Sequence, residues 1–261
     1  MRILVTNDDG VYAKGLWYLA RALKDVGEVT IVAPDREQSA VGTSVTLHHP
    51  LRARQIKSLA RGVKCYSVEG TPADSVILAL KVLLTDRVDL VVSGINEGSN
   101  LGTDVLISGT VGAALQGHFQ GIPSLAVSVG GVGKVHFTAA ASLAAAVASR
   151  VKANALPRDT LLNINLPNLH LSQIKGIEIT HLGEKSYGDI IEEGRDFKGT
   201  YYWIVRGKPI WEPTEGSDIW ALVHDKISIT PLKVNLTCQP ALPALEQLSS
   251  LMFQELTQAV S

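Results

Sequence analysis

The sequence predicts an α/β fold, a doubly wound and mostly parallel sheet covered by helices, with a β-rich excursion near its C-terminal end. Three observations carry this expectation. Short β-branched runs alternate with helix-period segments through the first half of the chain. Several of those runs are apolar throughout, as strands buried on both faces are. After Pro167 the rhythm changes to strand-like segments separated by polar stretches. With 261 residues, 46% hydrophobic and 19% charged, the chain is long enough for one large domain with a sizeable core.

Taken in order, strands are expected at 2–6, 29–33, 63–68, 88–92 and 124–129. Between the first two, Leu16, Leu19, Ala20 and Leu23 recur at i, i+3, i+4 and i+7, and Gly27 follows as a stop signal, which describes a helix with one buried face. Segment 43–57 alternates Val45, Leu47, Leu51 and Ala53 around His49-Pro50, the pattern of a β-hairpin attached to the sheet. Thr71-Pro72 opens a helix running to about residue 84, with Thr71 as cap and Pro72 where a missing N–H costs nothing. Another begins at Ser108 and runs to about Gln120. The alanine-rich stretch 138–149, interrupted by Ser142 and followed by Arg150 and Lys152, is too short to span a bilayer. The whole reads as a single domain, residues 1–261, with a core over about 1–168 and an extended β excursion over about 170–235. The excursion carries strand-like 177–180, 200–205 and 226–230, and a helix over about 242–258 closes the chain. Trp203, Trp211 and Trp220 fall in the excursion, where large aromatics serve either as interface anchors or as a local mini-core.

Composition excludes several function classes. Twenty-four basic residues against 25 acidic ones give a net charge of -1, so no global field draws in nucleic acid polymer or an anionic membrane. Cys65 and Cys238 lie too far apart for a CxxC site, and a reducing cytoplasm is the expected location. Met1-Arg2 runs directly into Ile3-Leu4-Val5, without the apolar stretch of a signal peptide.

Residues with chemical potential gather where the expected strands end. The first strand leads into Asn7-Asp8-Asp9-Gly10, and open α/β sheets bind ligands beyond the carboxyl ends of their strands. Two carboxylates about 4 Å apart repel by roughly 4 kcal/mol at an effective dielectric near ~20, so such a pair needs water, a shared proton or a cation. The bland reading is a solvated Asp-Gly turn. The fourth strand ends in a glycine- and amide-rich loop, residues 93–102, in which the Asn96 carbonyl suits a hard cation, unless the loop is merely a flexible connection. Ser39, in the loop after the second strand, adds an oxygen that counts only through its companions. Ser108-Gly109-Thr110 opens a helix with small residues, an arrangement that suits either an ordinary N-cap or a phosphate, without the lysine of a Walker loop. The seven histidines show no HExxH spacing, and no GxSxG elbow is present. Oxygen ligands without cysteine or histidine point to Mg²⁺ or Mn²⁺, and a metal beside a phosphate-binding helix suggests phosphoester hydrolysis. Two rivals fit less well. A signalling receiver module needs only about 100–150 residues, and a dinucleotide oxidoreductase needs a glycine-rich first βα turn where this chain has Asp8-Asp9.

These segments together resemble the survival protein SurE family of metal-dependent nucleoside monophosphate phosphatases. The resemblance rests on residues 3–10, Ala33-Pro34-Asp35-Arg36-Glu37-Gln38-Ser39, Gly70-Thr71-Pro72-Ala73-Asp74, Ser93-Gly94-Ile95-Asn96 with Gly98, Asn100, Gly102 and Asp104, and Ser108-Gly109-Thr110-Val111-Gly112-Ala113-Ala114. Later matches are Asn163-Ile164-Asn165-Leu166-Pro167, Tyr202-Trp203 and Ser228-Ile229-Thr230-Pro231-Leu232. It implies a Rossmann-like core and one divalent ion per subunit, Mg²⁺ or Mn²⁺, held by Asp8, Asp9, Ser39 and Asn96. Asp8, Asp9 and Asn96 would then be catalytic, with Asn7, Ser108, Gly109 and Thr110 near the phosphate. It further implies hydrolysis of 5′- and 3′-nucleoside monophosphates, in some members of short polyphosphate, and assembly as a homodimer or homotetramer through the excursion. Two departures, Ile107 where the family commonly has Tyr and Asp225-Lys226 where it commonly has Gly-Tyr, bear on base preference and pocket shape.

Overall fold

The computed structural model describes residues 1–131, 133–187, 190–205 and 209–260. In chain order its elements are β1 (Arg2–Thr6), α1 (Lys14–Leu23), β2 (Glu28–Pro34), β3 (Ala53–Gln55), β4 (Lys64–Val68), α2 (Pro72–Leu78), β5 (Leu90–Glu97), α3 (Gly109–Phe119), β6 (Ser124–Gly130), α4 (Phe137–Lys152), β7 (Leu161–Pro167), β8 (Ile177–Ile179), β9 (Glu184–Tyr187), β10 (Ile190–Asp196), β11 (Gly199–Val205), β12 (Pro209–Glu212), α5 (Asp218–Val223), β13 (Ile227–Pro231) and α6 (Leu242–Val260). Nine strands form one sheet in the order β3-β4-β2-β1-β5-β6-β7-β13-β8. The run from β4 to β7 is parallel throughout, while β3 on β4 and β13 on β7 are antiparallel. This is the expected Rossmann-like, doubly wound sheet.

Pleating divides the core in two. In β1, Ile3 and Val5 face a cluster with Leu16, Leu19 and Leu23 of α1 and Ala140, Ala144 and Ala148 of α4. Leu4 points the other way, to Val32, Val68, Val76 of α2 and Ala113 of α3. The side chains are fully buried on both faces, which explains why β1 reads as a continuous apolar run. The alanine-rich stretch is α4, whose buried small residues pack over the sheet beside α1. The helix opened by Thr71 has the expected capping: the Thr71 hydroxyl accepts from the Asp74 N–H, and the Asp74 carboxylate accepts from the Thr71 N–H. It continues as a π-helical turn, Ala79–Leu83.

Segment 43–57 is not the hairpin its alternation suggests. Only Ala53–Gln55 is a strand, and it pairs with β4 rather than with its own preceding residues. Val45 and Leu47 are exposed, so the alternation has no buried face to enforce strand pairing. Asp74 instead holds this stretch, accepting from the Thr46 N–H at 2.9 Å and from its hydroxyl at 2.6 Å.

Within residues 170–235, β8 and β13 extend the main sheet, and β10–β11 and β9–β12 form two separate antiparallel ribbons. A six-residue helix, α5, also lies there, opened by Ser217 accepting from the Trp220 N–H. Trp203 is exposed on β11, and Trp220 stacks on His224 with Lys226 Nζ 4.8 Å from its ring. The side chain of Trp211 lies outside the described residues. Cys65 is buried and Cys238 exposed, both as free thiols. Among the described residues no helix is long and apolar enough to cross a membrane.

Candidate active site

Sheet topology fixes where a site can form. Chain connections leave β1 toward β2 on one side, whereas β5 lies on its other side, so a crevice opens beyond the carboxyl ends of β1 and β5. Asp8 and Asp9 follow β1, and Asn96 stands near the end of β5. A register shift between Gly94 and Asn96 interrupts the pairing of β5 with β6 at this point, and such bulges re-aim side chains beside sites. The loop after β2 closes the third side. It is tied down by the Gln38 N–H donating to the Asp8 carbonyl at 2.8 Å and the Val11 N–H donating to the Pro34 carbonyl at 2.8 Å.

The result is a cavity of about 490 Å³ lined by Asp8, Asp9, Glu37, Ser39, Asn96 and Asp104, with Glu97, Ser99, Asn100, Ile107 and Ser108 completing it beside Ala13 and Ala40. Five carboxylates line it, and no Lys or Arg does among the described residues. Asp8 is 5% exposed. Its Oδ1 accepts a short hydrogen bond from the Thr110 hydroxyl, and the first turn of α3 lies against it. A Cβ on Gly109 would stand 2.8 Å from the Asp8 Cβ, so only glycine lets the helix start this close. Burial pushes the Asp8 carboxyl above its usual range against the pull of the Thr110 hydroxyl. Asp9 is pushed up to about 7, first by burial and then by the charge of Asp8. Its Oδ2 accepts one long bond, 3.4 Å, from the Glu97 N–H.

The neutral oxygens are presented by local bonds. Asn96 donates its Nδ2 to the Gly98 carbonyl at 2.8 Å, which leaves Oδ1 as the amide atom for a ligand. Ser39 donates its hydroxyl to Glu37 Oε1 at 2.6 Å and keeps lone pairs for an acceptor role. Ser108 caps α3, its Oγ accepting from the Val111 N–H at 3.1 Å.

Of the residues expected from the sequence, Asp8, Asp9, Ser39, Asn96 and Ser108 share the cavity wall. Asn7, Gly109 and Thr110 stand behind it. Asn7 is fully buried and donates to the Gly10 carbonyl, bracing the turn that carries the aspartates. Thr110 is also fully buried, and its hydroxyl is committed to Asp8. The departure at Ile107 lines the cavity, and Asp225 lines a second hollow of about 320 Å³ that abuts the first at Ser99. Glu97 and Ser99 fall inside the stretch 93–102 that the sequence marks as a ligand loop, but local patterning does not single them out as wall residues, because the wall forms only where that stretch and residues 37–40 line one cavity.

Among the described residues no three His, Cys, Asp or Glu side chains converge as a metal cluster. The candidate set is instead two carboxylates with a neutral amide and a hydroxyl. Those are hard oxygen donors, and the charge imbalance of the wall suits a small divalent cation, so the residues present fit Mg²⁺ or Mn²⁺.

Comparison with known proteins agrees with this architecture. Residues 3–189 match the family described as Survival protein SurE. Over 242 residues the chain is 49% identical to the 5′-nucleotidase SurE of Dehalococcoides mccartyi (strain CBDB1), covering 92% of this chain and 91% of that one. Over 248 residues it is 47% identical to the 5′-nucleotidase SurE of Geobacter sulfurreducens, covering 94% and 93%. The crystal structure of the SurE protein from Aquifex aeolicus superimposes with a TM-score of 0.81 at 39% identity, covering 95% of this chain and all of that one.

Proposed function

The chain belongs to the survival protein SurE family, and from that premise we propose that it is a divalent-metal-dependent phosphatase releasing phosphate from 5′-nucleoside monophosphates. The observation that carries this reading is the wall itself. A phosphate ester is an anion, and a cavity lined by five carboxylates with no lining Lys or Arg among the described residues repels it unless a cation intervenes. In this reading Asp8, Asp9, Asn96 Oδ1 and Ser39 Oγ hold one Mg²⁺ or Mn²⁺. When bound, that ion supplies positive charge for the phosphoryl oxygens and acidifies water at the site.

The chain's own residues do the rest. Thr110 fixes the Asp8 carboxylate by donating to Oδ1, so that Asp8 orients the attacking water and accepts its proton. The N-terminal turn of α3, with Ser108 at the cavity wall, favours the phosphate through its dipole. Direct attack by Asp8 on phosphorus is the competing chemistry. Trapping with hydroxylamine during turnover separates the two, because only an aspartyl phosphate reacts at its acyl carbon to leave a hydroxamate at Asp8 and release phosphate.

Under the same reading, 3′-nucleoside monophosphates and short polyphosphate would be further substrates, since the terminal phosphate is the group that the cation and the α3 turn would hold. We also assign the protein to the cytoplasm, and to a homodimer or homotetramer assembled through the C-terminal segment. Phe197, Tyr202, Trp203 and Ile204 on the β10–β11 ribbon are exposed, as are Leu245, Leu248, Met252 and Leu256 on α6. Light scattering at micromolar concentration is expected to give at least a dimer, and a monomeric mass contradicts the assembly. The reaction itself is tested by phosphate release from 5′- and 3′-nucleotides with Mg²⁺, with Mn²⁺ and with excess EDTA. Release that EDTA abolishes supports the proposal, and release that survives exhaustive EDTA overturns it.

A further inference from the structure

The end of β5 presents Asn96 to the cavity and the loop that follows presents Asn100, yet that loop has little strand pairing of its own. Buried side chains from distant segments hold it instead. The Asn100 N–H donates to Asn165 Oδ1 at 2.8 Å, and the Asn100 carbonyl accepts from Asn163 Nδ2 at 2.8 Å and Asn165 Nδ2 at 3.1 Å. The Asn100 side chain donates to the Ser128 hydroxyl. Two residues on, the Gly102 N–H donates to Asp218 Oδ2 at 2.8 Å. Asn163, Asn165, Ser128 and Asp218 have no exposed surface at all.

Asp218 differs from the other three in where it comes from. It opens α5, far beyond the parallel strands, and its second oxygen accepts from the Gly183 and Ile219 N–H groups, each at 2.8 Å. A Cβ on Gly183 would stand 3.1 Å from Asp218 Oδ1 and 2.9 Å from Ile219 Cδ1, so the junction has no spare room. One carboxylate thus joins the site loop, the turn entering β9 and the start of α5. Movement of that loop reaches the candidate ligand directly, because Gly98 supplies the carbonyl that orients the Asn96 amide.

We infer that Asp218 is a positioning residue: it clamps the loop that presents Asn100 and carries the Gly98 carbonyl bonded to Asn96, and so makes the geometry of the site depend on the C-terminal segment. The activity arm of the test rests on the proposed function; the exchange arm does not.

The test is Asp218→Asn in the full chain. An asparagine turns an N–H toward an N–H whichever way its amide is set, so it opens either the Gly102 contact or the Gly183 and Ile219 contacts. Amide exchange over residues 98–102 is expected to quicken at least about tenfold, with β1 and β2 keeping wild-type protection. The half-saturating Mn²⁺ concentration, measured by direct binding, is expected to rise about 10- to 100-fold, as for other residues that orient ligands from behind. KM is expected to rise with it. A purely structural role would lower the folded fraction, scaling apparent kcat while leaving Mn²⁺ half-saturation unmoved. Gly183→Ala, which crowds the same carboxylate without removing it, is expected to show a smaller effect in the same direction and serves if Asp218→Asn does not fold. Wild-type exchange over 98–102 together with wild-type Mn²⁺ binding in the folded variant would overturn the inference. A wild-type protein that binds Mn²⁺ but releases no phosphate would instead sink the proposed function and leave the clamp standing.

Discussion

The molecule buries carboxylates in two opposite ways. Asp74 and Asp218 are 1% and 0% exposed, and donors surround both: Thr46 and Thr71 for the first, Gly102, Gly183 and Ile219 for the second. Asp8 and Asp9 sit at the crevice with far less. Asp8 has the Thr110 hydroxyl and the backbone N–H groups of Asp8 and Thr110 against burial and the charge of Glu37, and Asp9 has one long bond from the Glu97 N–H against burial and the charge of Asp8. Burying a charge is costly unless hydrogen bonds or an opposite charge compensate it. The first pair is compensated by the fold and holds loops in place. The second keeps both carboxyls raised above their usual range, a deficit that the proposed cation would offset.

The sharpest way to break this comparison is to remove one member from each class. Asp8→Asn and Asp9→Asn are each expected to cut metal-dependent phosphate release by at least about a hundredfold, because the cation whose charge would stabilise the transition state is then poorly held. The metal-free variants should melt at or above the wild-type temperature near pH 8, because a like-charge repulsion has gone. Lower melting with retained turnover would reverse the assignment. Asp74→Ala should do the opposite. It strands the Thr46 and Thr71 donors, and a loss of about 2–4 kcal/mol in unfolding free energy is expected by denaturant titration.

A smaller effect comes from pH. Asp9 has its folded value raised to about 7 from 3.8, so the folded metal-free protein holds a proton that the unfolded chain has released between those values. The contribution of Asp9 to the stability of the metal-free protein therefore falls as pH rises from about 4 to about 7, and the raised Asp8 adds a fall of the same sign. The Asp9→Asn variant should have a shallower slope between about pH 4 and pH 7, and thermal melts across pH in EDTA check it. The smallest expected effect concerns selectivity. Ile107 lines the cavity, and Ile107→Tyr should shift the ratio of kcat/KM values between purine and pyrimidine monophosphates by about threefold to tenfold while leaving metal affinity alone.

What the sequence makes legible follows the same division. Strands buried on both faces and an amphipathic α1 announce themselves through period and apolar runs, and the ends of β1 and β5 place Asp8, Asp9 and Asn96 before any coordinates are needed. Where burial does not enforce a pattern, the reading fails. Val45 and Leu47 alternate like a strand, but their exposure leaves loop 43–52 to be held by Asp74. A further contact is out of reach of local rules altogether: the Thr110 hydroxyl donates to Asp8 across 102 residues. The two asparagines of β7 do leave a trace. Asn163 and Asn165 interrupt an otherwise apolar strand at a spacing of two, and buried amides on one face need partners, which Asn100 provides for Asn165 and for the Asn163 N–H.

The central claim is that the Asp8–Asp9 crevice is a cation site kept in electrostatic deficit. Calorimetric titration of Mn²⁺ into the metal-free wild-type protein, beside Asp8→Asn and Asp9→Asn at pH 7.5, tests it most directly. The account predicts one ion bound per chain with proton release in the wild type, and binding weakened at least about a hundredfold in both variants. Equal binding by all three proteins, or none by the wild type, would contradict it.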